Sequence, residues 1–437
     1  MGLLKQVTIN GVYRILFLIF QLINTMLISR LTGPAGFGVL SLVIVNANIL
    51  LIFTSLGIPA GILFHASARD LPLKKMEKVI WISTFFQLAL VIIFESVHFV
   101  LRGSFWIWPS GETVAGVAGI FLFLAIVLAE KYYALYNGFQ HFPLYNLVVL
   151  VFSVIQTALL IYLGIQPKPV SLDMVIYAYV LVNVIQTVAL WVIFHRRKIG
   201  RLSITQGSGM ARKFFSYSLF AYLANALHFL VTRIDFWILH YYRGDEELGW
   251  YALAARIAQL FLVLPALLAG IIMPSVTSSQ LSGQSLEKIF RMVNSLNLLM
   301  IFILTAFSSW LIPLLFGTEF SETIIPLVYL LPGIIFLSAQ TLLASYFAGK
   351  GRPLINLHGS VIALVVVLAL DLLLIPVWGA KGAAIASSIA YAAGCLYTYR
   401  RYVAAEHYSW RELFMNKSDR EEVLTIINRA WSGRRIP

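Results

Sequence analysis

Along the chain, apolar runs of spanning length alternate with short interruptions of Gly, Pro and charged residues. About twelve such runs lie near residues 9 to 31, 37 to 63, 78 to 101, 113 to 135, 143 to 164, 173 to 195, 214 to 241, 247 to 273, 288 to 316, 322 to 347, 354 to 377 and 380 to 402. Each has roughly 20 residues or more, enough to cross a bilayer core as a helix. Backbone amides find no water in hydrocarbon, so a spanning segment is a helix or part of a closed barrel. Runs this long and continuously apolar exclude strands. The pattern predicts an all-α polytopic membrane protein of about twelve transmembrane helices.

Composition agrees. Of 437 residues, 60% are hydrophobic and 12% charged, and the mean hydropathy is +0.85, far outside the soluble globular range. The first apolar run is too long for the core of a cleavable signal and predicts a retained helix. The single cysteine, Cys395, falls in the last predicted helix, which excludes disulfides and thiolate metal sites as organising features.

Charge placement sets the expected orientation, because basic loops stay cytoplasmic. With the N-terminus inside, the inner segments hold Lys5, then Arg69, Lys74, Lys75 and Lys78, then Lys131, Arg196, Arg197, Lys198, Arg201, Arg212 and Lys213. Lys288, Arg291, Lys350, Arg352 and a basic tail follow. Outer loops hold Arg30, Arg102, Lys168, Arg243 and Lys381. The asymmetry predicts N-in and C-in. It also accounts for a net charge of +13 without nucleic acid, since the excess faces anionic lipid headgroups.

The chain also repeats. GPAGFG (Gly33 to Gly38) has its counterpart in GDEELG (Gly244 to Gly249), 211 residues later, and PLYN at 143 to 146 returns as PLIN at 353 to 356. Two landmarks at one offset predict two pseudo-symmetric six-helix lobes, 1–199 and 214–404, joined by a basic linker, 200–213, and followed by an amphipathic tail, 405–437. Six is even, so both repeats enter the membrane in the same direction, an arrangement of transporters with a cleft between lobes. Gly57 with Pro59, Pro265 with Gly270 and Pro332 with Gly333 mark expected bends.

Ionisable groups at membrane depth are costly, so each is a site hypothesis. Asn10, Arg14, Gln21 and Asn24 fall within roughly 80° of one face of the first helix, as do Asn225, His228, Thr232 and Asp235 on the seventh. Arg233 points roughly 160° away from Asp235, and Arg256 on the next helix is the expected partner of Asp235. Three arginines, Arg14, Arg233 and Arg256, against one carboxylate predict a cationic cavity. Guanidinium forks bind phosphate or pyrophosphate. Arg14, Arg256, Arg233, Asn10, Gln21, Asn24, Asn225 and His228 are the candidate substrate residues. Asp235, Glu95, His98 and Asp371 are candidates for coupling or charge pairing, through H⁺ or Na⁺. Glu130 is expected at the inner interface.

The GPAGFG turn, SLGIPAG at the end of helix 2, RID in helix 7 and LGWYALAARIAQ at the entry to helix 8 together resemble the polysaccharide and O-antigen flippases. Those belong to the multidrug, oligosaccharidyl-lipid and polysaccharide exporter superfamily. The resemblance spans nearly the whole chain. It implies alternating access and a cargo of oligosaccharide on a polyprenyl pyrophosphate, carried from the inner to the outer leaflet of a bacterial plasma membrane. It further implies that Arg14 and Arg256 match cavity arginines of lipid II flippases, which have fourteen helices rather than about twelve. A polysaccharide polymerase or glycosyltransferases are the implied protein partners.

The tail residues Trp410, Leu413, Phe414, Leu424, Ile427 and Trp431 recur near helical spacing, as an amphipathic surface helix does. A drug antiporter of the same superfamily is the rival reading, opposed by the arginine excess. A membrane-bound glycan polymerase is the rival enzyme, opposed by predicted outer loops of about a dozen residues or fewer. No GKS/T loop, HExxH or Cys/His cluster occurs, so nothing supports nucleotide hydrolysis, metal chemistry or a bound cofactor.

Overall fold

A computed structural model describes residues 3–69, 71–107, 113–167, 170–197, 199, 222–277 and 283–406. The regular elements among them are all helical: α1 Leu3–Ser55, α2 Ile58–Ala68, α3 Leu73–Arg102, α4 Thr113–Gly138, α5 Phe142–Gly164 and α6 Leu172–Arg196. After these come α7 at 222–231, α8 Ile234–Gln259, α9 Val263–Thr277, α10 Gly283–Phe316, α11 Ile324–Gly349 and α12 Pro353–Glu406. The predicted linker at 200–213 and the tail beyond Glu406 lie outside the described residues.

Nine stretches among the described residues are long and apolar enough to cross a membrane, and three of them, Ile15–Ser55, Tyr222–Met273 and Pro353–Ala405, run to 41, 52 and 53 residues. A straight helix of that length would reach about 60 Å or more, twice the hydrocarbon thickness. Each is folded at a glycine: Gly33 (φ 65°, ψ −178°), Gly244 (φ 80°, ψ −170°) and Gly379 (φ 55°, ψ −135°). L side chains avoid this region of backbone space. The predicted outer loops at these places are therefore single-residue corners.

Two predicted spans are broken instead of bent. The run at 37 to 63 stops at Ser55, because Leu56 and Gly57 take positive φ (45° and 75°) and Pro59 restarts the chain as α2. The run at 214 to 241 is interrupted at Thr232 and Arg233, where Thr232 N–H donates to His228 O and Phe229 O and Arg233 N–H to Leu230 O.

The chain forms two compact units, Met1–Tyr222 with Leu315–Gly317, and Leu223–Leu314 with Thr318–Pro437. In unit 1, α3 is inside out relative to a soluble helix. It buries Ser83, Thr84, Gln87 and Glu95 and exposes Val79, Ile82, Phe85, Phe86, Ile93 and Val100. An apolar outside and polar inside is the arrangement that lipid selects. This is a multi-pass membrane protein. Tyr132, Leu135, Tyr136, Leu190 and Phe194 form the unit's aromatic and aliphatic core with Ile62, Met76 and Ile80.

Lys131 departs from its expected place among the lipid headgroups. It is fully buried, and its Nζ donates to Ser83 Oγ at 2.8 Å, Thr84 Oγ1 at 2.8 Å and Gln87 Oε1 at 2.6 Å. Three acceptors satisfy the three ammonium donors, so the polar face of α3 has its counterpart on α4.

In unit 2, Phe290, Leu342, Leu343, Tyr346, Phe347, Tyr399 and Tyr402 form the core. Pro332 inside α11 removes a backbone donor, and Ser388 Oγ on α12 donates to Tyr329 O at 2.7 Å in the same turn. The corner at Gly244 is tied to the corner at Gly379. Arg243 donates to Val377 O at 2.8 Å and Ala380 N–H to Glu247 Oε2 at 2.9 Å.

Candidate functional site

The break at Thr232 and Arg233 starts α8 at Ile234 and puts Asp235 in its first turn, where the helix dipole favours a carboxylate. Asp235 is fully buried. Its Oδ2 accepts from Tyr251 Oη and, at 3.0 Å, from Ser387 Oγ. The two hydroxyls are 3.2 Å apart. The other oxygen, Oδ1, has no partner.

Asp371 on α12 is fully buried too, and neither of its carboxylate oxygens has a partner. It interacts electrostatically with Asp235. The interior thus holds two carboxyl groups, three orphaned oxygens, and the hydroxyls of Tyr251, Ser387 and nearby Tyr391. Burying charged carboxylates without compensation costs several kcal/mol, a cost that a bound proton or cation would offset. All its donor atoms are oxygens, which suits a hard ion. Among the described residues no group of three or more His, Cys, Asp or Glu side chains could hold a metal.

In place of the expected Arg256, the hydrogen bonds to Asp235 come from Tyr251 and Ser387. Asp235 lies nine positions before the Gly244 corner, Tyr251 seven positions after it and Arg256 twelve positions after it. At about 1.5 Å per residue, Tyr251 comes back to about 3 Å short of the height of Asp235 and Arg256 to about 4.5 Å beyond it, both within one turn. Arg233 stands closer. Its guanidinium lies over the Phe236 ring, 5.1 Å from the centroid, and acts electrostatically on Asp235. The expected polar face of Asn225, His228, Thr232 and Asp235 does not form as one strip, since the helix breaks inside it. Asn225 is exposed, His228 half-buried and Asp235 buried.

Other candidates hold the fold together. Asn24 is buried, donates to Ser153 O at 3.3 Å and accepts from Thr157 Oγ1 at 2.7 Å, which fastens α1 to α5. Glu95 accepts from Trp106 N–H at 2.8 Å and Ile107 N–H at 3.0 Å, and His98 Nδ1 meets Ser104 O at 2.8 Å. Both pin the segment after α3. Gln21 is half-buried. The side chains of Asn10 and Arg14 lie outside those described.

Tyr251, Ser387 and Tyr391 were not singled out from the sequence. Tyr251 sits within LGWYALAARIAQ, which as a pattern marks only a helix entry. Ser387 sits in AAIASSIAYAA, where small residues read as close helix packing. Only the tertiary structure brings them to Asp235.

A buried oxygen cluster at a broken helix in an all-helical membrane protein defines a chain with the features of a secondary transporter. Comparison with known proteins makes this specific. Residues 27–325 match the model of the family described as polysaccharide biosynthesis protein, and the chain belongs to that family. A curated relative, the probable low-salt glycan biosynthesis flippase Agl15 of Haloferax volcanii, is 25% identical over 190 residues, 42% of this chain and 40% of that protein. The matched part is less than half the relative's length. Among solved structures, an inward-facing multidrug resistance MATE family transporter of the MOP superfamily aligns with a TM-score of 0.64 at 16% identity, covering 90% of this chain and 96% of its own. The lipid II flippase MurJ, in an inward closed conformation, aligns with a TM-score of 0.64 at 15% identity, covering 90% and 87%. The fold is that of the MOP superfamily transporters.

Proposed function

We propose that this protein is a flippase that carries a polyprenyl-pyrophosphate-linked oligosaccharide from the inner to the outer leaflet by alternating access, coupled to H⁺ or Na⁺ at Asp235 and Asp371. The observation that carries the reading is the pair of buried carboxyl groups with three unpartnered oxygens beside the helix break, in a chain of the polysaccharide biosynthesis family. A binding energy that differs between loaded and empty carboxylates is what lets an ion bias one conformation over another. The glycan flippase named among the relatives supports the cargo class, and the MurJ likeness supports the fold for lipid-linked cargo.

Folding the three longest stretches at Gly33, Gly244 and Gly379 supports twelve passes in two six-helix repeats, with both termini inside as the basic segments require. In this reading Arg14, Arg233 and Arg256, with Asn10, Gln21, Asn225 and His228, meet the anionic carrier. No chemical step on the cargo is involved.

The test is translocation of a fluorescent polyprenyl-pyrophosphate oligosaccharide in vesicles containing the purified chain, with and without a Na⁺ or pH gradient. Gradient-dependent movement to the opposite leaflet supports the reading. Movement of cationic drugs with no movement of the glycolipid would overturn it in favour of an antiporter.

A further inference from the structure

Unit 1 contains a cavity of about 530 Å³, within the usual range of small-molecule sites, roughly 300 to 1,000 Å³. Its walls come from α1, α4, α5 and α6. The rings of Tyr13, Tyr133 and Tyr145 line it, the last two edge to face with centroids 5.0 Å apart. Beside them stand Glu130, Asn48 and Asn183.

Hydrogen-bond accounting sets the polarity of this space. Asn48 Nδ2 donates to Ile44 O at 2.7 Å and Asn183 Nδ2 to Tyr179 O at 2.9 Å, so each amide turns a donor back onto its own helix and keeps its carbonyl oxygen as an acceptor. Thr187, also in the wall, donates to Asn183 O at 2.9 Å and Ala125 O at 3.1 Å. Glu130 Oε2 is buried and accepts no hydrogen bond. The adjacent Lys131 acts on it electrostatically but gives its three hydrogens to Ser83, Thr84 and Gln87. The cavity therefore offers acceptor oxygens at Glu130, Asn48 and Asn183, keeps one amide N–H on each of these asparagines, and is walled by aromatic rings. A ligand that fits must bring several O–H or N–H donors and an apolar C–H face.

We propose that this cavity is a sugar subsite, in which one ring of the cargo glycan donates hydroxyl hydrogens to Glu130, Asn48 Oδ1 and Asn183 Oδ1 and lies against the tyrosine rings. The proposal rests on the flippase reading for its source of sugar and gives that reading a division of labour. No arginine is among the described residues lining this cavity, and forked guanidinium donors are what a pyrophosphate needs, so the glycan and its carrier are held by separate groups. An unpartnered carboxylate also gives discrimination, since a buried acceptor left unpaired by a deoxy sugar costs more than one that is filled.

Saturation-transfer NMR on the full chain in nanodiscs tests this, with methyl glucoside and methyl glucosaminide as probes and inorganic pyrophosphate as the contrast. We expect saturation of the ring protons of at least one glycoside, binding roughly tenfold weaker in Glu130→Gln and in Asn183→Leu, and pyrophosphate binding unchanged in both. Size-exclusion profiles and thermal unfolding report whether each variant is folded, and either one suffices. Absence of saturation with both glycosides, or saturation unaffected by both substitutions, would overturn the proposal. Glycolipid translocation in vesicles separates the two ideas. Wild type that moves glycolipid but binds neither glycoside loses the subsite and keeps the function, and the converse result loses the function alone.

Discussion

Ser387 donates a 3.0 Å hydrogen bond to Asp235, 152 positions earlier in the chain, and so joins the second arm of α12 to the first turn of α8. Tyr251 donates to the same carboxylate oxygen. These bonds fix one side of Asp235 and leave its Oδ1 turned to an interior that also contains Asp371.

The cluster should respond to a cation as a binding site. Thermal unfolding of the wild type is expected to shift upward as Na⁺ rises or as pH falls, because an ion bound only to the folded state at about 100 times its Kd stabilises by roughly 2.7 kcal/mol. Asp235→Asn and Asp371→Asn should each abolish that shift while raising stability without the ion, since each removes one of two neighbouring buried carboxyl groups. A Na⁺ or proton response that survives in both variants would remove these residues from coupling.

Lys131 predicts a structural effect. Lys131→Met strands three buried acceptors at Ser83, Thr84 and Gln87, and the expected loss is about 3 kcal/mol. Adding Gln87→Leu to that variant should recover part of the loss, because one stranded acceptor goes with it. Unchanged unfolding of the single variant would show that the ammonium is not the centre of this packing.

Asn24 and Arg256 separate fastening from binding. Asn24→Leu is expected to cost about 1 to 2 kcal/mol of stability through its lost bonds to Ser153 and Thr157, with glycolipid movement per folded molecule near wild type. Arg256→Ala and Arg14→Ala are expected to abolish movement with insertion intact. Full movement in both arginine variants would end the case for a cationic contact with the carrier.

Gly379 sets a corner that a side chain cannot occupy. A Cβ there would collide with the Glu247 carboxylate, and φ is 55°. Gly379→Ala is expected to lower stability by about 2 kcal/mol. Combining it with Glu247→Ala should relieve the collision and leave the backbone cost. Equal stability of the single and double variants would show that the contact with Glu247 contributes nothing.

The paired turns were legible because corners are written in local sequence. Gly33 and Gly244, found by their spacing, have nearly the same φ and ψ. The turns before PLYN and PLIN match bond for bond. His141 N–H donates to Tyr136 O at 2.7 Å and Gln140 N–H to Asn137 O at 3.0 Å. Their counterparts are Arg352 N–H to Phe347 O at 2.8 Å and Gly351 N–H to Ala348 O at 3.0 Å. Such a helix-ending motif needs one residue of positive φ, supplied by Gln140 in one turn and Gly351 in the other.

By itself, the sequence determined the solvent, the helical backbone and the corners, because each follows from interactions over a few residues: apolar length, unpaired amides, and the conformations open to glycine and proline. Which charge meets which partner was decided only by the tertiary structure. Nearness in sequence paired Arg256 with Asp235, and the placement of basic loops put Lys131 at the inner membrane surface. A two-residue break in the helix, a corner that returned Tyr251 to within a turn of the height of Asp235, and a neighbour 152 residues away gave the carboxylate different company. Burial in hydrocarbon makes each such pairing costly to leave unmade, yet the pairing itself depends on where distant helices pack, and no local pattern encodes that.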